Sequence, residues 1–133
     1  CFYIDPTSKK PTYSNYYPGS INVTSAGSIS GSTNIDAYIY DDPYMLFEAQ
    51  CDGTLAKTDI GKNTDTVLTA GSTVNGLSKN EIDDSTEATT AGLQVKIIGI
   101  TKDPENDDAS SANANWYVMF NEHVKLGTGI TGT

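Results

Sequence analysis

Two dense apolar blocks, residues 37–50 and 93–100, stand in a chain otherwise rich in Ser, Thr, Asn, Asp and Gly. They restrict the fold more than any other feature of the sequence. In residues 36–40, Asp-Ala-Tyr-Ile-Tyr, the alternation is that of a half-buried strand. Asp41-Asp42-Pro43 punctuates the run before Tyr44, Met45, Leu46 and Phe47 resume it, so the block predicts two strands divided by a turn or bulge. Leu93-Gln94-Val95-Lys96-Ile97 alternates again and continues through Ile98-Gly99-Ile100, and residues 116–121 supply an aromatic strand. Between them, residues 101–115 carry too much Asp, Asn, Pro and Ser for a core and predict an exposed hairpin loop. With no internal repeat and no long amphipathic helix, the pattern implies an all-β fold. The expected architecture is a compact antiparallel β-barrel or β-sandwich with long polar loops and an extended N-terminal arm.

The 133 residues suffice for one core. The start, Cys-Phe-Tyr-Ile-Asp, lies inside a strand-like run with no initiator Met, which suggests a further segment upstream. Residues 1–20 read as a tyrosine-containing arm, broken by prolines and ending in Pro18-Gly19. Residues 21–127 read as the β-rich body and 128–133 as a flexible tail. Within the body, residues 21–35 predict a weak strand or a long loop. Asp59 is placed either to cap a short helical turn or to polarise a loop near Gly61, Val67, Leu68 and Val74 to make a hairpin through Ala70-Gly71-Ser72, and Leu77 and Ile82 to anchor a polar stretch.

Composition then narrows the function. Seventeen acidic residues oppose eight basic ones, a formal charge of -9. Such a chain gains nothing from the phosphate attraction that dominates nucleic-acid affinity, so no nucleic-acid partner is expected. No apolar run reaches the ~20 residues that span a bilayer, and no membrane partner is expected. Cys1 and Cys51 are too few for a disulfide framework and read as free thiols, a single bridge being the alternative. His123 is the only histidine, which excludes multi-imidazole metal clusters, and Glu122 beside it in a strand faces the other way. Asp41 with Asp42, Asp83 with Asp84, and Asp103, Glu105, Asp107 and Asp108 offer oxygen atoms, yet none follows a calcium-loop pattern. The chain therefore reads as non-enzymatic, with no catalytic residue, metal or cofactor assigned. Candidate contact residues are Tyr13, Tyr16 and Tyr17 in the arm, either loop anchors or subunit contacts, and Trp116 and Tyr117, either contacts or core.

Several segments carry a resemblance to a known group. Residues 38–50, Tyr-Ile-Tyr-Asp-Asp-Pro-Tyr-Met-Leu-Phe-Glu-Ala-Gln, resemble the Asp-Pro, apolar-Phe-Glu-x-Gln segment of a group of tailed-bacteriophage virion proteins. Asp83-Asp84-Ser85-Thr86, followed by Ala88-Thr89-Thr90 and Leu93-Gln94-Val95, is similar to the group's Asp-Ser-Ser-Thr, Ala-Thr-Thr, Leu-Gln-apolar segment. Pro104-Glu105-Asn106-Asp107 and residues 116–123 resemble its Pro-Asp-Asn loop and its closing strand with an Asn-x-His ending. The resemblance spans roughly residues 35–125 and fades in the tyrosine-rich arm and in residues 21–35. It implies a capsid decoration or cement protein, a homotrimer on the outer surface of the virion's icosahedral shell with the major capsid protein as partner. A tail or head-to-tail structural component and a carbohydrate-binding virion domain are the alternatives.

Overall fold

The structure is a computed structural model that describes residues 1–5, 8–15, 21–23, 27–29, 35–72, 74–106, 108–127 and 129–133, with the side chains of 21–23 and 27–29 excepted. The fold is all-β. Its strands in chain order are β1 (Phe2–Ile4), β2 (Pro11–Tyr13), β3 (Ile21–Val23), β4 (Gly27–Ile29), β5 (Ile35–Asp36), β6 (Phe47–Gln50), β7 (Asn63–Thr64), β8 (Thr66–Val67), β9 (Glu81–Ile82), β10 (Val95–Ile100) and β11 (Asn115–Phe120). A single 3-10 turn, Lys57–Asp59, is the helical element among the described residues.

The chain divides into two compact units. The first comprises Cys1–Asp41 and Gly71–Ser78. Here the expected arm folds back on itself: β2 and β5 flank β1 in a three-stranded antiparallel sheet, and β3 pairs antiparallel with β4 in a separate two-stranded sheet. Beyond the β1–β2 ladder, Asp5 N donates to Lys10 O at 3.0 Å and Lys9 N to Asp5 O at 2.9 Å.

The second unit comprises Asp42–Ala70 and Lys79–Thr133. Its four-stranded antiparallel sheet has the order β6-β11-β10-β7, and β8 and β9 form a separate pair. One parallel bridge, Cys51 with Ile82, links the end of β6 to β9, and no barrel closes among the described strands. The β10–β11 hairpin follows the alternation seen in the sequence: Val95, Ile97, Trp116 and Val118 point inward and are buried. A β-bulge between Ile97 and Gly99 changes the inward parity, so that Ile100, not Gly99, lies opposite Trp116. The core is completed by Cys51, Leu55, Ile82, Ala109 and Ala114, with Phe47, Ala49 and Ile100 against its edge. Burial of each large side chain contributes about 1.5–3 kcal/mol, and Trp116 is the largest fully buried one.

Several expectations need correction. Residues 37–40 and 44–46, read as strand on either side of a turn at 41–43, belong to no ladder; the turn falls at Pro43 and Tyr44, where Tyr44 N donates to Asp42 Oδ1 at 2.9 Å. Residues 101–115 are not wholly outside the core, because Ala109 and Ala114 are small enough to enter it and Asn106 ties the loop's base. Val67 pairs with Glu81 in β9, so the expected hairpin through Gly71 does not form, and Leu68, Val74 and Leu77 are exposed. Asp59 does cap its turn, its carboxylate accepting from Ala56 N and Lys62 Nζ, both at 2.7 Å.

The last residues, 129–133, are held by hydrogen bonds. Gly132 N donates to Thr89 O at 3.0 Å and Thr133 N to Gly61 O at 3.1 Å. Ile130 is gripped on both sides by buried asparagines: its N–H reaches Asn121 Oδ1 at 2.9 Å, and its carbonyl accepts from Asn63 Nδ2 at 2.7 Å.

Candidate functional site

Tyr38, Ile39 and Tyr40 follow directly from β5, at one end of the β2-β1-β5 sheet. They are 74%, 79% and 76% exposed. Among the described residues, no backbone group of residues 37–40 makes a hydrogen bond, so three large apolar side chains and their amides face solvent together. The sequence pattern here is that of a strand; continued in register, the β1–β5 pairing places residues 38–40 opposite positions that precede Cys1. The three side chains form one exposed patch. Acidic residues bracket them, Asp36 before and Asp41 after, and no Lys or Arg stands between.

The expected contact residues fall in different places. Tyr13 is exposed and its ring lies 5.1 Å from that of Phe2 across the β1–β2 pair. Tyr16 and Tyr17 lie outside the described residues. Trp116 takes the core alternative, with no exposed surface, whereas Tyr117 on the opposite face of β11 is exposed. The parity of β11 separates this adjacent pair: once Val118 is inward, Trp116 must be inward too.

A second cluster forms where the turn after β6 meets the turn after β9. Carboxylate oxygens of Asp52, Asp83 and Asp84 come within 4.8 Å of one another. Each carboxylate also serves a local hydrogen bond. Asp52 Oδ1 accepts from Asp84 N at 3.0 Å, Asp84 Oδ2 from Thr54 N at 3.0 Å, and Asp83 Oδ1 from Ser85 N at 2.8 Å and Ser85 Oγ at 2.6 Å. Gly53 lets Asp84 approach the backbone, since a Cβ there would collide with its carboxylate. These bonds account for the cluster as the lock between two turns. The sequence sets Asp83 beside Asp84, but nothing in its spacing relates residues 52 and 84.

Other chemistry-bearing residues have structural surroundings. Burial pushes the Cys51 thiol up to about 11, opposed by a hydrogen bond from the Gly53 backbone and reinforced by the charges of Asp84, Asp52 and Asp83. Such a thiol is protonated and unreactive at neutral pH; Cys1 and Cys51 are both free. His123 Nδ1 accepts from Lys125 N at 3.1 Å in a turn, and its ring lies 6.2 Å from Phe120. The Asp103 and Asp108 side chains each close a local turn, accepting from Glu105 N at 3.0 Å and Ser110 N at 2.9 Å; Asp107 lies outside the described residues. The Ser110 hydroxyl, with its backbone N–H, holds the Asp108 carboxyl below the usual carboxylate range.

Comparison with protein-family models, with curated proteins and with solved structures finds no match to this chain.

Proposed function

We propose that the protein is a non-enzymatic decoration or cement protein, which binds the outer surface of a tailed-phage icosahedral shell and strengthens contacts between subunits of the major capsid protein. The reading rests on the resemblance of residues 35–125 to that virion group. The observation that supports its mechanism is the exposed Tyr38-Ile39-Tyr40 segment. A tyrosine-rich apolar surface on a rigid β scaffold suits protein contact, where Tyr supplies apolar area and a hydroxyl at small entropic cost. Many copies binding a surface that exists only in the assembled lattice stabilise it by mass action. The proposed assembly is a homotrimer, matching three-fold lattice positions. We propose further that β8 and β9, linked to the end of β6 by the Cys51–Ile82 bridge, and the main sheet form an open, barrel- or sandwich-like arrangement.

The test is cosedimentation of the purified chain with capsids assembled without it, with copies bound per shell and the shell's melting temperature measured. Saturable binding at lattice stoichiometry with a raised shell transition supports the reading. Absence of lattice binding, with the chain found instead in tail fractions, refutes it.

A further inference from the structure

Asn75-Gly76 is the only Asn-Gly pair in the chain. It lies in a turn of the first unit, where the backbone calls for glycine: Gly76 has φ +70°, and the side-chain amide of Asn15 lies so close that a Cβ would collide with it. Ser72 N donates to Leu77 O and Gly76 N to Ser72 O, both at 2.9 Å, which closes the turn. Asn15 and Asn75 are both exposed.

Two further hydrogen bonds reach the oxygens on either side of the Asn75 side chain's nearest nucleophile, Gly76 N. Leu77 N donates to Asn75 Oδ1 at 3.2 Å, folding the side-chain amide back over the Gly76 peptide. Asn15 Nδ2 donates to Asn75 O at 3.0 Å, the carbonyl of the same peptide group as the Gly76 N–H. A glycine nitrogen has no Cβ beside it to hinder its attack on the preceding side chain. When Gly76 N gives its proton to solvent and bonds to Asn75 Cγ, negative charge develops first on Asn75 O, through the peptide group, and then on Oδ1. Each oxygen already holds a donor, the arrangement that stabilises developing charge. The Cγ–Nδ2 bond then breaks, Nδ2 takes a proton from solvent and leaves as ammonia, and a five-membered imide remains. One water opens the imide at either carbonyl, giving aspartate or, with the chain running through the side-chain carbonyl, isoaspartate. Nothing is oxidised or reduced. The bond from Gly76 N to Ser72 O has to open first and acts as a brake.

We propose that Asn75 is a site of self-modification, converted by Gly76 N with Asn15 and Leu77 donating to the oxygens on which charge develops. The inference stands apart from the decoration reading. Its product puts a carboxylate, and in isoaspartate an extra backbone methylene, into a turn whose Val74 and Leu77 are 95% and 63% exposed. One neutral amide becomes one carboxylate, so the formal charge of -9 falls by one.

The test incubates the intact chain at mildly alkaline pH and follows every asparagine by peptide mapping with mass spectrometry, isoaspartate being scored by enzymatic methylation. Asn75 is expected to convert before any other asparagine, to both products, at a rate rising in proportion to hydroxide. Asn15→Ala, and Asn15→Asp, which keeps the shape without the donor, are each expected to slow conversion at Asn75 at least about threefold; the effect is smaller than the ~10²–10³ of a buried donor because water reaches this one. A side chain that merely stiffened the turn would do the reverse, since its loss frees Gly76 N and speeds the attack. Persistence of Asn75 while another asparagine converts, or two Asn15 variants that react as fast as the parent or faster, would overturn the proposal.

Discussion

Replacing Asn121 by Ala removes one side chain that organises three separate pieces of the second unit. Its Nδ2 donates to Ala91 O at 2.7 Å and Leu93 O at 2.9 Å, and its Oδ1 accepts from Ile130 N at 2.9 Å. It is buried at the end of β11. Each such bond contributes a net ~0.5–1.5 kcal/mol, so the three together contribute roughly 1.5–4.5 kcal/mol. The central expectation is a loss of about 3 kcal/mol, because Ala91 and Leu93 are only half-buried and their carbonyls regain some water. Urea unfolding followed by the fluorescence of Trp116, the only tryptophan, measures it directly.

Asn121→Asp separates hydrogen bonding from lost volume. The carboxylate still accepts from Ile130 N but confronts the Ala91 and Leu93 carbonyls with negative charge, which raises its folded pKa. Its protonated form is the favoured one, so this variant should be at least as unstable as Asn121→Ala at pH 7 and should recover as pH falls through the raised pKa. Hydrogen exchange at the Ile130 amide should accelerate in both. A loss below about 1 kcal/mol, or an Asp variant with no acid recovery, would refute the idea that Asn121 clamps the chain end.

Trp116→Ala should cost about 3–5 kcal/mol and Tyr117→Ala less than about 1 kcal/mol in the same urea assay, since adjacent residues face opposite sides of β11. Asp59 has its carboxyl lowered below the usual range: burial opposes this, but the Lys62 ammonium and the Ala56 N–H outweigh it. Its stabilisation is therefore present above the unfolded pKa of about 3.9 and lost as pH falls through the lower folded value, so Asp59→Asn should weaken the fold near neutrality and flatten the acid limb of its pH–stability curve. A maleimide at pH 8 should label half-buried Cys1 well before Cys51, which should react only on unfolding; equal rates by mass spectrometry would contradict the burial of Cys51. Gly129→Ala should destabilise the second unit, because the added Cβ collides with the Ala91 carbonyl, a backbone atom that cannot swing aside; thermal melts would register this as a lower midpoint.

Alternation made β10 and β11 legible, because a hairpin with one buried face writes its register into the sequence: Val95, Ile97, Trp116 and Val118 are all inward. The same signal misled at Tyr38-Ile39-Tyr40. Period-two patterning reports a preference for extended backbone, and says nothing about whether a neighbouring strand exists to pair with it. It also missed the small residues of the long loop, since Ala109 and Ala114 have too little apolar area to stand out from a polar stretch.

What hydropathy could not reveal is that much of the second unit is organised by buried polar side chains. Asn63, Thr64, Thr101 and Asn121 are all buried, and three of the four spend their polar groups on backbone of loops or termini. Asn63 Nδ2 reaches Thr90 O at 2.9 Å as well as Ile130 O, while Thr64 Oγ1 reaches Asp83 O. Read as a sequence, these residues signal surface, because a buried amide is unfavourable until its partners are present, and those partners are 27 and 67 residues away for Asn63. Irregular backbone needs such donors and acceptors wherever it approaches the core, since it has no ladder of its own. A chain with strands this short therefore relies on asparagine and threonine to fix its loops.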